Sequence, residues 1–232
     1  RAVLWAAPRA ALWAAGLVLL AAWMPFNNGL RPEGQIATGA LITYVLIERA
    51  ITSGRLTPAA LAITTAAFTL GIQPTGLIAV AALVAETAPD WVINAAAMTH
   101  VDQCEQDVEA AHRANVEIVE HLAAVCGDAG VGLVQISTDY VFDGEGGPYA
   151  EGDATNPLSR YGQLKLESER VLEGLERSLV VRTLWLYGYV PETGANFTTW
   201  SLETLSGGAP LRVFADQWGN PTYVHDLARV LL

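Results

Sequence analysis

Trp91-Val-Ile-Asn-Ala-Ala-Ala97 sets the architecture of the second half of this chain. Its apolar run lacks polar alternation, as in a parallel strand buried on both faces, and the three alanines at its exit leave room for a ligand. Gly132-Leu-Val-Gln-Ile-Ser-Thr138 reads as a second strand, and Leu179-Val-Val-Arg-Thr-Leu-Trp-Leu-Tyr187 as a third. A helix is expected from Asp102 to Cys126, ending near Gly127. A loop rich in Gly and Asp follows the second strand, from Asp139 to Thr155. Asn156-Pro157 then offers a cap and a proline at the first helical position, opening a helix to about Arg177. A short helix near Asn196 to Leu205, a strand Leu211 to Ala215 and a helix from Tyr223 complete the series. Strands alternating with helices predict an α/β fold: a partial Rossmann-like parallel sheet over residues 89–232, with ligands at the carboxyl ends of its strands.

Charge divides the chain in two, at residues 1–85 and 86–232. The first part holds five Arg and two Glu, whereas the second holds 22 of the 24 acids and 8 of the 13 basic residues, a net of −14. An acidic surface of that kind argues against nucleic-acid binding, which needs basic patches to replace counterions. Cys104 and Cys126 are too few for a disulfide framework and read as ordinary helix thiols, which fits a reducing compartment. No metal site is expected. His100 and Cys104 stand four apart, but one pair makes no site, and His112, His121 and His225 read as helix-surface residues.

Tyr161 and Lys165 also stand four apart and so share one helix face. Lys165 is the only lysine in the chain. A phenol, with a pKa of about 10, is a poor proton donor or acceptor at neutral pH. A cation held beside it favours the phenolate and brings the group toward working range. Thr138, at the carboxyl end of a strand, supplies a hydroxyl that could orient a substrate oxygen. On spacing alone, a surface Tyr–Lys pair and an ordinary strand-end threonine remain an alternative.

The surrounding words add more. Ser137-Thr-Asp-Tyr-Val-Phe-Asp-Gly144, Gly147-Pro-Tyr149 and Asn156-Pro-Leu-Ser-Arg-Tyr-Gly-Gln-Leu-Lys-Leu-Glu167 resemble the extended short-chain dehydrogenases, specifically the dTDP-4-dehydrorhamnose reductase branch. Asn94-Ala-Ala-Ala-Met-Thr-His-Val-Asp-Gln-Cys-Glu105, Arg182-Thr-Leu-Trp-Leu-Tyr187 and Asp216-Gln-Trp-Gly-Asn-Pro-Thr222 fit the same branch, in the right order from Pro89 to Leu232. The resemblance implies Thr138, Tyr161 and Lys165 as the catalytic set. It places Ala95, Ala96 and Ala97 along an NADPH or NADH cofactor, with Tyr161 against it and Lys165 on the nicotinamide ribose hydroxyls. Tyr140 and Trp185 would flank the sugar, and Asn115 would support a water network, although by sequence alone a capped or solvent-facing Asn is the default. The implied activity is reduction of a 4-keto deoxysugar nucleotide, as in rhamnose biosynthesis, by a cytoplasmic protein. A non-catalytic regulatory homologue is the alternative.

Residues 1–85 differ in kind. Ala10 to Leu30 is uncharged, and Leu56 to Ala85 is uncharged and interrupted only at Gln73-Pro74. Roughly 20 apolar residues span a bilayer core, and Trp13 and Trp23 could sit near interfaces. An apolar, transmembrane helical segment is therefore expected ahead of the reductase-like part; buried helices of a large soluble protein are the alternative. Met24-Pro-Phe-Asn-Asn-Gly-Leu-Arg-Pro-Glu-Gly34, Arg55-Leu-Thr-Pro-Ala-Ala-Leu61 and Phe68-Thr-Leu-Gly-Ile-Gln-Pro-Thr-Gly-Leu-Ile-Ala-Val-Ala-Ala-Leu-Val-Ala85 resemble the mycobacterial-type cell-wall arabinosyltransferases. That resemblance puts Asn27, Asn28, Arg31 and Glu33 at a polyprenyl-phosphate arabinose site, with a mere connecting loop as the other reading.

One part of the reductase pattern is missing. No Gly-rich turn of the dinucleotide-binding kind stands before Pro89, and no acid is placed for the adenosine ribose, so NAD and NADP are not separated. The chain opens on Arg rather than Met and stops where the family continues. These features lead to the expectation of a joined sequence, fused between Leu77 and Pro89 and inactive as it stands. Oligomeric state is left open.

Overall fold

A computed structural model of the protein describes residues 60–61, 80–81, 84–85, 88–189, 196–214 and 216–231. The apolar run Ala10 to Leu30 and the residues Asn27, Asn28, Arg31 and Glu33 lie outside the described residues.

Four parallel strands form the main sheet in the order β1 (Ala60–Leu61), β2 (Trp91–Asn94), β3 (Gly132–Thr138) and β4 (Ser178–Thr183). Trp91 pairs with Gly132 and Asn94 with Gln135, while Leu133 pairs with Ser178 and Thr138 with Thr183. All seven residues of β3 are buried, as expected of a central strand covered on both faces. Ile93, Val134 and Ile136 face the carboxy-terminal helix, where Val224, Leu227 and Ala228 are buried at helical spacing. Val92 and Leu133 point the other way, into a cluster with Val80, Val84, Ile118, Val119, Leu122 and Cys126.

At its described residues, the run Leu56 to Ala85 enters this arrangement. Ala60 and Leu61 lie in a strand parallel to β2, and Val80 and Val84 belong to the core over the sheet. A stretch without a polar stripe suits a bilayer, but it equally suits a sheet strand followed by a buried helix. Among the described residues, no helix is long and apolar enough to cross a membrane.

The helix expected from Asp102 to Cys126 is broken into pieces. His100 caps α1 (Val101–Gln106), its Nδ1 accepting from the Gln103 amide at 3.3 Å. Asp107 ends that helix and caps α2 (Val108–His112), accepting from the Ala110 amide at 3.0 Å. A π-helical turn, Arg113–Glu117, leads into α3 (Ile118–Ala129), which closes on Gly130 at φ 68°. That left-handed cap is a conformation glycine adopts without strain. Asp107 is a good cap residue, and its side chain competes with the helix it would otherwise sit inside.

The remaining elements are α4 (Arg160–Val171), β5 (Leu186–Tyr187), α5 (Phe197–Ser206), β6 (Thr222–Tyr223) and α6 (Val224–Leu231). The third strand was expected to continue to Tyr187, but β4 stops at Thr183, two residues before Trp185 at φ 35°. Chain beyond that kink pairs instead with β6, in a separate two-stranded sheet. Asn196 caps α5 with a reciprocal bond to Thr199. Leu211 to Phe214 form no strand, and Val213 and Phe214 are exposed. Alternation there has no partner strand to satisfy it, and a strand without a partner is unstable.

Candidate active site

Helix α4 carries the first half of the site. Its cap is Ser159, whose Oγ accepts from the Gly162 amide at 3.1 Å. Asn156, the expected cap, donates instead to Asp143 Oδ2 at 3.0 Å within the preceding loop. From that start, Tyr161, Lys165 and Glu169 fall on one buried face of the helix. Gly162 lets the helix lie against the turn after β3, since a Cβ there would stand 2.2 Å from the Tyr140 carbonyl oxygen.

Strand β3 carries the second half. Thr138 ends the strand and caps the short turn Asp139–Val141, its Oγ1 accepting from the Tyr140 amide at 3.3 Å. The Thr138 hydroxyl also donates to Asp139 Oδ1 at 3.2 Å, and it lies near enough to Tyr161 to counter part of the effect of burial on the phenol. The rings of Tyr140 and Tyr161 meet edge to face at 5.9 Å, and the Trp185 side chain lies near enough to Tyr140 to lower its phenol against the effect of burial. Thr138, Tyr140, Tyr161 and Trp185, singled out from three separated stretches of sequence, therefore converge. Trp185 holds its place in a left-handed backbone conformation that a bulky residue rarely adopts, and strain of that kind gathers at ligand sites.

Lys165 lies beneath them, only 2% exposed, and its Nζ donates to the Ile136 carbonyl at 2.7 Å. Burial pushes its pKa down to about 8, with the nearby Glu169 carboxylate pulling the other way. Tyr161 moves opposite to the sequence expectation: burial pushes its phenol above the ordinary range, and the Thr138 hydroxyl opposes this only in part. The Lys165 ammonium is engaged with backbone, so desolvation governs the phenol. Asp139 is likewise raised by burial, against the lowering effect of Thr138 and of backbone amides.

Ala95 and Ala96 are buried and Ala97 is half-buried, directly beyond the end of β2. Asn94 fixes their path, its Oδ1 accepting from the Ala96 amide at 3.1 Å and its Nδ2 donating to Gln135 Oε1 at 2.7 Å. Asn115 sits on the π-helical turn, a feature often found at functional sites. Its Nδ2 donates to the Ala111 and Met98 carbonyls at 3.0 and 3.2 Å, and its buried Oδ1 has no partner.

A group missed by sequence reasoning completes the site. Glu169 accepts from Ser137 Oγ at 2.5 Å, from Arg182 Nε at 3.0 Å and from Arg182 Nη2 at 2.6 Å. The spacing of Glu169, four beyond Lys165 and eight beyond Tyr161, was visible; its partner on another strand was not. Among the described residues, no group of His, Cys, Asp and Glu could hold a metal ion.

Chemically, the arrangement offers a phenol kept protonated, a threonine hydroxyl beside it, a buried ammonium and a small-residue floor at the strand ends. The ammonium has three donors and spends one on Ile136, leaving it able to hold the ribose hydroxyls of a dinucleotide. That end of a nicotinamide cofactor fits the residues present.

A family profile, described as the RmlD substrate binding domain, matches residues 57–232. The chain belongs to that family. Among curated relatives, dTDP-4-dehydrorhamnose reductase of Aggregatibacter actinomycetemcomitans is 43% identical over 146 residues, 62% of this chain and 49% of its own length. A dTDP-4-dehydrorhamnose reductase structure from Bacillus anthracis, in complex with NADP, superimposes with a TM-score of 0.63 at 35% identity, covering 67% of this chain and 55% of that one. A second kind of relative matches as well: arabinosyltransferase B of Mycolicibacterium smegmatis is 89% identical over 84 residues, 36% of this chain and 8% of its own length. Thus this RmlD-family chain spans about half the reductases and a small fraction of the arabinosyltransferase. It carries likenesses to two kinds of protein, as the two resemblances in its sequence implied.

Proposed function

We propose that the α/β part of this chain is the proton-donating half of an NAD(P)H-dependent reductase acting on a 4-keto deoxysugar nucleotide. The observation that carries the reading is the convergence of Thr138, Tyr161, Tyr140 and Trp185 at the strand ends, with Lys165 buried behind them. Ala95 to Ala97, Tyr161 and Lys165 would hold the nicotinamide end of the cofactor, which when bound supplies hydride to the keto carbon. Tyr161, kept protonated by burial, gives its proton to the oxygen that becomes the alcohol. Thr138 hydrogen-bonds the same oxygen and steadies the phenol. Tyr140 and Trp185 present aromatic surface to the sugar ring, and Lys165 supplies positive charge beneath the reacting oxygen. The NADP-bound relative supports a nicotinamide dinucleotide, NADPH or NADH, as the hydride source.

The test is a graft: residues 89–232 replace the matching half of the Aggregatibacter reductase. Turnover of dTDP-4-dehydrorhamnose with NADPH is expected. A folded graft that binds the nucleotide sugar and NADPH yet turns nothing over would favour the regulatory-homologue reading.

The likeness to arabinosyltransferase B supports a second reading for the other stretch. There we infer a fragment of a membrane arabinosyltransferase of cell-wall synthesis, joined to the reductase between Leu77 and Pro89 and taking no part in its chemistry. Sequencing the source DNA across codons 70 to 95 tests this; an uninterrupted genomic frame across the join would overturn it as an accidental joining.

A further inference from the structure

The carboxyl ends of β2, β3 and β4 carry polar side chains where a buried face would ordinarily be apolar. Asn94, Gln135, Ser137 and Arg182 are linked in adjacent pairs by the strand register. Gln135 Nε2 and Lys165 Nζ both donate to the Ile136 carbonyl, at 3.0 and 2.7 Å. Glu169, 9% exposed, is gripped by two nitrogens of Arg182 and by the Ser137 hydroxyl. Every member of this stripe has partners, so it is a fixed framework rather than a loose cluster.

Arg182 reaches outward as well. Its Nη1 donates to the Glu151 carbonyl at 3.3 Å, and its guanidinium lies 5.1 Å from the Phe142 ring. Phe142 stacks on Tyr149 at 4.3 Å. One guanidinium therefore ties α4, β4 and the loop that carries Tyr140 to a single carboxylate.

We infer that Glu169 is a positioning residue for Lys165: clamped by Arg182 and Ser137, it lies one helical turn beyond Lys165 on the same buried face, and its charge keeps the ammonium protonated at the strand ends. This rests on the reductase reading only for its consequence in catalysis; the electrostatic assignment stands apart from it. An ammonium with a single backbone partner would lose its proton readily in so dry a place, and a fixed carboxylate one turn away counters that. Helix α4 places Tyr161 and Glu169 on the same buried face as Lys165; Ser137 of β3 and Arg182 of β4 bind Glu169, and Cys104 of α1, with Asp139 and Tyr140 after β3, bears on Tyr161. Of these, Glu169 is the charged neighbour that favours the ammonium.

The full chain offers a direct reading, because Lys165 is its only lysine. Labelling lysine with carbon-13 at Cε gives one resonance whose chemical shift follows the charge on Nζ. In the unaltered chain it should titrate with a midpoint near 8. Glu169→Gln should lower that midpoint by about one pH unit or more, and Glu169→Asp, which keeps a carboxylate, should restore most of the difference. Should Glu169→Gln not fold, the pair Glu169→Met with Arg182→Met removes both charges together, a change buried ion pairs often tolerate, and its midpoint should lie below that of Arg182→Met alone. An unchanged midpoint in whichever variant folds overturns the assignment. In the grafted reductase, Glu169→Gln should move the alkaline limb of kcat/KM to lower pH by the same amount. A moved resonance in a graft without turnover keeps the Glu169 assignment and removes the reductase reading instead.

Discussion

The amino and carboxyl halves of the same sheet face are built on opposite principles. Near the start of β2 and β3, Val92 and Leu133 are fully buried among Ile118, Val119, Leu122 and Cys126. Two to four residues further along the same strands, the same face holds Asn94, Gln135 and Ser137, joined to Lys165, Glu169 and Arg182 through hydrogen bonds and an ion pair. One half is held by non-directional burial; the other is held by directional bonds that each need a specific partner. Parallel sheets place their ligands at the carboxyl ends, and here the polar half is that end. The difference separates the part of the fold that supplies stability from the part that fixes the positions of reacting groups.

The largest expected effect breaks the polar half alone. In the grafted reductase, Tyr161→Phe removes one hydroxyl, and kcat should fall by about 10²–10⁴-fold while thermal stability and NADPH affinity stay near the parent's. Near-normal turnover would show that another group gives the proton.

A second substitution breaks the apolar half. Leu133 is 0% exposed, so Leu133→Ala should destabilise the chain by about 2–5 kcal/mol in urea titration. Lys165 should keep its titration midpoint, provided the folded state is populated. A large change in that midpoint would mean that the two halves are coupled more tightly than their separate bonding suggests.

The smallest effect is a pH dependence. Burial pushes the Lys165 ammonium down to about 8 in the folded chain, from an ordinary lysine value of 10.5. Between these values the unfolded chain binds the proton that the folded chain has lost, so rising pH favours the folded state. The burial penalty is present below pH 8 and disappears toward pH 10.5. Relative to Lys165→Met, the parent should gain stability across that window; the comparison cancels Tyr161, whose raised pKa acts in the opposite sense above its unfolded value. A parent that loses stability relative to the variant there would reverse the sign assigned to burial.

Strands β2 and β3 were legible because their apolar runs repeat on a local scale, and β3 occupies the expected Gly132–Thr138. The short helix near Asn196 was legible for the same reason, and the structure shows Asn196 as its cap. Tyr161 and Lys165 share a face by helical geometry alone. The breaks were less visible: Asp107 and Ser159 act as caps where Asn156 and an unbroken helix were expected, because several residues in each stretch could cap and only the packed loop assigns their hydrogen bonds.

By itself, then, the sequence determined the parallel α/β pattern, the division of charge and the placing of a tyrosine and a lysine on one helix face, since each depends on spacing along the chain. Tertiary structure decided the rest. It drew Ala60–Leu61 into the sheet, turned the strand at Trp185, and brought Arg182 onto Glu169 from another element. It also reversed the expected direction for Tyr161, because the dielectric around a phenol depends on what packs over it and not on which residues adjoin it in sequence.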